Sequence, residues 1–255
     1  MSIVGGAVLY EAVRVSKSYG SVEALLDVDF ALHAGEVVGL VGDNGAGKST
    51  LVKVLSGVHA PDSGTLVLEG VERRWSSPHE ALAAEIETLY QDAGLAPHLS
   101  IGANVFLGRE ILRPGLLGRL GFMAQRRMDK AALHELAQVG IEIQGDRRTV
   151  ADLSGGQRQA VAIGRAVAWA RKVLLLDEPT NHLGARQALE VLEVIRKARD
   201  RGLGVVFISH TLPHVLQVCD RIVVLRLGRV VRDAPTSVFD AESLLGTITG
   251  LLEAS

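Results

Sequence analysis

The sequence predicts an α/β protein: a core of parallel strands and helices, with an antiparallel β subdomain and an inserted α-helical subdomain. Three observations predict it. The runs VLLL (173–176), VVFI (205–208) and IVVL (222–225) are short, apolar and rich in β-branched residues. Such runs suit parallel strands buried on both faces. Helical patterns fall between them. In Ala185–Arg199, Leu189, Leu192 and Ile195 recur at helical spacing, while Glu190, Glu193, Arg196 and Lys197 face away. Strands alternating with helices define the α/β class. The stretch from about Asp92 to Val167 contains no convincing strand, only helical patterns and a glycine-rich basic loop, Arg113 to Arg127.

In order, strands are expected at Leu9–Val15, Val28–Leu32, Glu36–Val41, Thr65–Leu68, Glu85–Tyr90, Val173–Asp177, Gly204–Ile208 and Arg221–Leu225. The early ones are separated by turns such as His33-Ala34-Gly35 and Pro61-Asp62-Ser63-Gly64, which points to antiparallel pairing. Residues 1–91 and 168–255 are expected to form the α/β core with its β subdomain, and 92–167 the helical subdomain, all within one domain.

The 255 residues carry 27 Lys and Arg against 29 Asp and Glu, a net charge of −2, which argues against broad nucleic-acid binding. Hydrophobic residues make up 47% and charged residues 22%, a globular balance that excludes intrinsic disorder. The single cysteine, Cys219, allows neither a disulfide framework nor a cysteine zinc site and suits a reducing compartment. No apolar run approaches the length of a membrane helix, and the first residues show no secretory signal. The chain is expected to be soluble and able to dock on a membrane protein.

Gly42-Asp43-Asn44-Gly45-Ala46-Gly47-Lys48-Ser49 follows an apolar strand and opens the helical run from Thr50 to Leu55. This is the phosphate-loop pattern in its required context. Glycines let successive amides converge on phosphate oxygens, and the helix N-terminus adds positive potential. Lys48 is placed to reach the β- and γ-phosphates, and the Ser49 hydroxyl to ligate Mg²⁺. The strand Val173–Leu176 ends on Asp177-Glu178. Two carboxylates at a buried strand end need a cation or donors. Asp177 suits Mg²⁺ held together with Ser49, and Glu178 suits a base that deprotonates water. Leu153-Ser154-Gly155-Gly156-Gln157 precedes another helical run. Its hydroxyl, unhindered amides and helix start form a second anion site. By itself, a Ser-Gly-Gly turn is ordinarily just a helix cap.

These motifs, in this order, resemble the ATP-binding-cassette (ABC) ATPases over essentially the whole chain. GDNGAGKST is similar to the family's Walker A, LSGGQ to its signature, and VLLLDEPT to its Walker B. Gln91 in LYQD resembles the Q-loop glutamine, His210 in FISH the switch histidine, and Tyr19 in KSYG the aromatic that stacks on adenine. The resemblance implies a P-loop NTPase (RecA-like) core. It implies catalysis by Glu178, His210, Gln91 and Lys48, and Mg²⁺ held by Ser49, Gln91 and Asp177. Nucleotide contacts would come from Tyr19, the loop Gly42–Thr50, and Ser154 to Gln157. It also implies a head-to-tail homodimer, or a pair with a paralogous cassette, with ATP between Lys48 of one copy and Ser154 and Gly156 of the other.

Three stretches, LYQDAGLAPHLSIGANVFLGRE, DEPTNHLG and FISHTLPHVLQVCDRIVVLRLGR, resemble ATPase subunits of bacterial monosaccharide importers of the ribose, xylose and fructose type. Gly184 stands where most ABC proteins carry aspartate and supports that subclass, whereas Asn181-His182 departs from its small residues. The resemblance implies integral membrane permease subunits, a periplasmic or extracellular sugar-binding protein, no nucleic-acid partner, and a cytoplasmic position on the inner face of the membrane. Leu95, Leu99, Ile101, Val105 and Phe106 are expected to supply mostly core, or else a cleft for the permease. The alternatives are a non-sugar importer, a soluble ABC ATPase of repair or translation type, and a nucleotide-binding regulator without turnover.

Overall fold

The computed structural model describes residues 7–91, 94–141, 149–181 and 183–251. They form two compact units. The first comprises Met1–Gln91, Ala170–Asn181 and Ile195–Ser255, the second Asp92–Trp169 and His182–Val194. The expected division had placed all of 168–255 in the core. Instead, the start of helix α7 (Ala185–Asp200) groups with the second unit, where Val191 and Val194 share an apolar pocket with Ile141 and Ile163.

Within the first unit, β1 (Val8–Tyr19) and β2 (Val22–His33) make an antiparallel hairpin. Strands β4 (Ser63–Leu68) and β5 (Val71–Arg73) extend it in the order β2-β1-β4-β5. The inward residues Val15, Leu25, Val28, Phe30 and Leu32 join one hydrophobic core with Leu51 and Leu55 of α1 (Lys48–Leu55). The β1–β4 register slips between Val13 and Ser16, where Arg14 takes φ 47°. Opposite the slip stands Gly64, where a Cβ would lie 2.3 Å from the Arg14 carbonyl oxygen, so only glycine fits this bulge.

The second sheet is built around β3 (Val37–Gly42), every residue of which is buried. It pairs in parallel with β8 (Gly204–Ile208) and with β9 (Arg221–Arg226). Outward from β8 follow β7 (Val173–Asp177) and β6 (Ile86–Leu89), both parallel. Beyond β9, β10 (Arg229–Pro235) closes the other edge antiparallel, giving the order β10-β9-β3-β8-β7-β6. At Gly39 a Cβ would lie 2.8 Å from Val215 and 2.9 Å from the Cys219 sulfur, so α8 (Leu212–Val218) packs directly on this strand. The carboxyl ends of β3, β6, β7 and β8 share one edge of the sheet, where ligands of open α/β sheets bind.

Two buried polar constructions tie this unit together. Tyr10 donates its hydroxyl to the Leu55 carbonyl at 2.7 Å and accepts from Trp75 Nε1 at 2.8 Å, and burial pushes the phenol pKa up. Arg221 bonds Glu36 through Nε at 2.7 Å, Asp233 through Nη1 at 2.7 Å, and the Ala31 carbonyl through Nη2. The Glu36 carboxylate also accepts the His33 backbone N–H at 3.0 Å. Burial works to raise the Glu36 carboxyl, but Arg221 and His33 together hold it below its ordinary value.

In the second unit, α3 (Ile101–Val105), α5 (Gln125–Gln138) and α6 (Gly155–Trp169) carry the core, with the short α4 (Leu116–Arg119) between α3 and α5. Ser100 caps α3 by accepting from Ala103 N at 3.1 Å. Asn104 is fully buried and holds the preceding loop through Ala96 N and O. Ile101, Val105 and Phe106 belong to the core, whereas Leu99 is exposed and lines an open groove with Ala103 and Gln125. No strand occurs among the described residues of 94–169, which hold only the isolated bridges Ser100–Thr149 and Leu112–Met123.

Candidate functional site

The loop between β3 and α1 is shaped by glycines that must be glycines. Gly42 (φ 154°) approaches the Leu225 carbonyl so closely that a Cβ would lie 2.2 Å from it, and at Gly47 (φ 109°) the same atom would meet the Ala24 carbonyl at 2.5 Å. The loop therefore curls back on the ends of β2 and β9. Lys48 Nζ donates to the carbonyls of Gly42 at 2.7 Å and Asp43 at 2.9 Å. Burial lowers the Lys48 pKa, and the carboxylates of Glu178, Asp177 and Asp43 only partly offset it. The first amides of α1 have no intrahelical acceptor and face this loop with the helix dipole behind them.

Asp177 ends β7 and is buried. Its carboxyl accepts a hydrogen bond from Ser49, and burial raises its pKa against the opposing pull of Lys48 and His210. A hydroxyl and a carboxylate side by side form a hard-oxygen donor pair that fits Mg²⁺, which takes one or two protein ligands and completes its shell with phosphate and water. Among the described residues no cluster of three or more His, Cys, Asp or Glu could hold a metal on its own.

Glu178 has φ 55° although it precedes Pro179, where extended backbone is the rule. Its N–H bonds the Ile208 carbonyl at 3.0 Å, so β8 fixes this left-handed residue in place. Strain of this kind marks functional positions. The Glu178 carboxylate lies 2.6 Å from His210 Nε2. Burial raises its pKa, His210 opposes that, and the neighbouring Asp177 adds to it.

An open cleft of about 480 Å³ joins these parts. Asn44 to Thr50 line it, together with Gln91 beyond β6, Asp177, Glu178 and His210. Gly42 and Asp43 contribute from behind through the carbonyls that accept from Lys48 Nζ. Tyr19 is not among the lining residues; its exposed ring meets His59 edge-on at 5.5 Å and lies 5.9 Å from Lys17 Nζ. Asn181 of the DEPTNHLG stretch also lines the cleft, as do residues at the start of β2, Val22 to Ala24, which no motif marks. Asn181 donates its N–H to the Glu178 carbonyl at 3.1 Å. Thr180 is buried against His214 Nδ1 of α8 at 3.2 Å, another contact no spacing indicates.

Ser154 to Gln157 belong to the second unit. Ser154 and Gln157 cap α6 reciprocally: Gln157 N donates to Ser154 Oγ at 3.3 Å, and Ser154 N to Gln157 Oε1 at 3.0 Å. Gly156 lies against the carboxamide of Gln187, where a Cβ would meet Gln187 atoms at 2.4 Å, and Gln187 Oε1 accepts from Gly184 N at 3.3 Å.

A phosphate loop on a buried parallel strand, with two carboxylates at the end of a strand in the same sheet, defines the P-loop nucleoside-triphosphate-binding proteins. The family model "ABC transporter" matches residues 25–181. The fructose import ATP-binding protein of Rhizobium meliloti is 48% identical over 215 residues, 84% of this chain and 83% of that protein. The xylose/arabinose import ATP-binding protein of Sulfolobus acidocaldarius is 44% identical over 88% of this chain and 86% of its own length. A ribose import ATP-binding protein of Burkholderia cenocepacia is 39% identical over 93% of this chain, which spans only 46% of that relative. Among solved structures, a nucleotide-free ATP-binding cassette from an ABC transporter matches with TM-score 0.77 at 22% identity over 95% of this chain and 96% of its own. A dimeric bacterial ABC transporter cassette matches with TM-score 0.75 at 25% identity over 89% of this chain and 99% of its own. The chain belongs to the ABC transporter family and is an ATP-hydrolysing, nucleotide-binding cassette. No helix among the described residues is long and apolar enough to cross a membrane.

Proposed function

We propose that this chain is the ATP-binding and hydrolysing subunit of a monosaccharide importer, working with separate membrane permease subunits and, through them, a periplasmic or extracellular sugar-binding protein. The observation that carries the sugar class is the 48% identity to the fructose import protein over most of both chains. The subunit sits in the cytoplasm against the inner face of the membrane, held there by the permease, and has no nucleic-acid partner.

In this reading Lys48 leaves the Gly42 and Asp43 carbonyls to meet the β- and γ-phosphates, helped by the amides of Asn44 to Thr50. Ser49, Asp177 and Gln91 would hold Mg²⁺, which would supply positive charge against the phosphates. Glu178 accepts a proton from the attacking water, and its raised pKa moves it toward the range where a base works near neutrality. His210, 2.6 Å away, orients the Glu178 carboxylate. Gln91 positions the water, and Tyr19 stacks on adenine. Ser154, Gly155, Gly156 and Gln157 of a second copy, or of a paralogous cassette, close over the γ-phosphate head-to-tail. Donors aimed at developing charge contribute about 3–4 kcal/mol each in rate terms.

The test is reconstitution with the cognate permease and sugar-binding protein in vesicles. Expected are ATP hydrolysis stimulated by a monosaccharide and accumulation of that sugar. Stimulation by DNA or ribosomes instead, or hydrolysis indifferent to every monosaccharide, overturns the assignment.

A further inference from the structure

The glycine-rich loop Arg113–Arg127 has no part in the nucleotide site, and its surface is unusual. Leu112, Leu116, Leu117, Leu120, Phe122 and Met123 are all exposed, Leu116 at 72% and Leu120 at 65%. Six large apolar side chains left exposed within one short hairpin mark an interaction site. From Leu112 to Ala124 the only polar side chains are Arg113 and Arg119, and Arg126 and Arg127 follow, all exposed. No carboxylate occurs between Glu110 and Asp129.

The hairpin is held in this shape. Arg113 N bonds the Phe122 carbonyl at 2.8 Å, Ala124 N the Ile111 carbonyl at 2.7 Å, and Phe122 N the Leu117 carbonyl at 3.0 Å. Gly118 is buried against the Arg113 carbonyl, in a space too tight for any Cβ. The turn is thus closed by its own backbone, and the leucines stay outside because the backbone, not a core, decides where they go.

We propose that this hairpin docks directly on an anionic lipid bilayer, leucines and phenylalanine at the headgroup–acyl boundary and arginines on lipid phosphates. Exposed apolar side chains next to four exposed arginines, with no carboxylate in the chain between Glu110 and Asp129, complement an anionic, oily surface. Short apolar elements hold a membrane only when a second signal assists them, and the four arginines supply it. The contact goes beyond the importer assignment: it needs no permease and would exist whatever the transported substrate.

The experiment is cosedimentation of the full chain with vesicles that contain no protein, made of phosphatidylcholine alone or with phosphatidylglycerol added. Expected is binding to the phosphatidylglycerol vesicles that weakens as salt rises. Leu116→Ser with Leu120→Ser lowers the partition coefficient at least about tenfold, since each buried leucine is worth about that factor. Arg119→Gln with Arg126→Gln and Arg127→Gln lowers it about as much and flattens the salt dependence to what Arg113 alone sustains. Basal ATP hydrolysis stays unchanged in both variants, which separates this proposal from the catalytic one. Absence of binding to phosphatidylglycerol vesicles overturns the proposal, as does binding that both variants retain. Loss in the variants of binding to permease-containing vesicles alone, with none to empty ones, also overturns it and assigns the hairpin to the permease.

Discussion

Replacing Arg221 with methionine removes the one cation that the buried Glu36 carboxylate shares with Asp233. Glu36 is 0% exposed and would keep only the His33 donors. Breaking a buried ion pair from one side costs about 3–5 kcal/mol, because the remaining charge is stranded. Domain stabilities run to about 5–15 kcal/mol, so this is a large fraction. With a urea dependence of about 2 kcal/mol per molar, the midpoint should fall by about 2 M. Trp75, packed on Tyr10 in the same unit, reports the transition by fluorescence once Trp169 has been changed to phenylalanine. The pH dependence sharpens the test. In the wild type the Glu36 carboxyl lies below its ordinary value. Its contribution is therefore present above the unfolded carboxylate pKa and lost as pH falls through the lower, folded one. In the variant only burial and His33 remain, so the difference between the two proteins should be widest at neutral pH and narrow in mild acid, where Glu36 can take a proton. Adding Glu36→Gln to Arg221→Met should recover more than half of the loss. A cost below about 1 kcal/mol, or one equal at neutral and acid pH, would refute the stranded-charge argument.

Glu178→Gln should retain ATP binding and lose about 10²–10⁴-fold in turnover, measured by phosphate release; near wild-type steady-state hydrolysis would remove Glu178 from the role of base. Because burial raises the Glu178 pKa, the base is lost as pH falls through that raised value. The acid limb of the wild-type rate profile should therefore lie above the ordinary carboxylate range. Lys48→Ala should abolish nucleotide binding in a fluorescent-nucleotide titration while leaving the thermal midpoint of the free protein unlowered, since Lys48 spends its charge on carbonyls rather than on core packing. Tyr10→Phe leaves the Leu55 carbonyl and the Trp75 N–H without their partner, and should cost about 1–3 kcal/mol by urea denaturation.

How much of this could be read in advance depended on how far each feature is local. The runs at 173–177 and 204–208 match β7 and β8 to the residue, because central parallel strands are uniformly apolar and end abruptly at charge or glycine. Strands β5 and β10 went unread. Both are edge strands with polar outward faces; every residue of β5 is exposed. Strands β1 and β2 proved longer than expected, since they run through positive-φ residues at Arg14 and Asp27 where the alternation breaks. The loop residues that meet in the cleft follow one another in sequence and announce themselves by type. The left-handed Glu178, Asn181 and the Val22–Ala24 wall depend on which distant strand end arrives beside them, and no spacing encodes that. The edge-on meeting of Tyr19 with His59 is another contact that no spacing encodes.

Gly39 exists so that α8 can press onto β3, and beside Val215 the atom that crowds the missing side chain is the sulfur of Cys219. Burial pushes that thiol's pKa well up, so in the closed fold it is neither reachable nor nucleophilic. As the chain's single cysteine, it serves as a built-in stopwatch. The rate at which an alkylating reagent captures it times how often the helix lifts off the strand that ends in the phosphate loop, with no engineered label required.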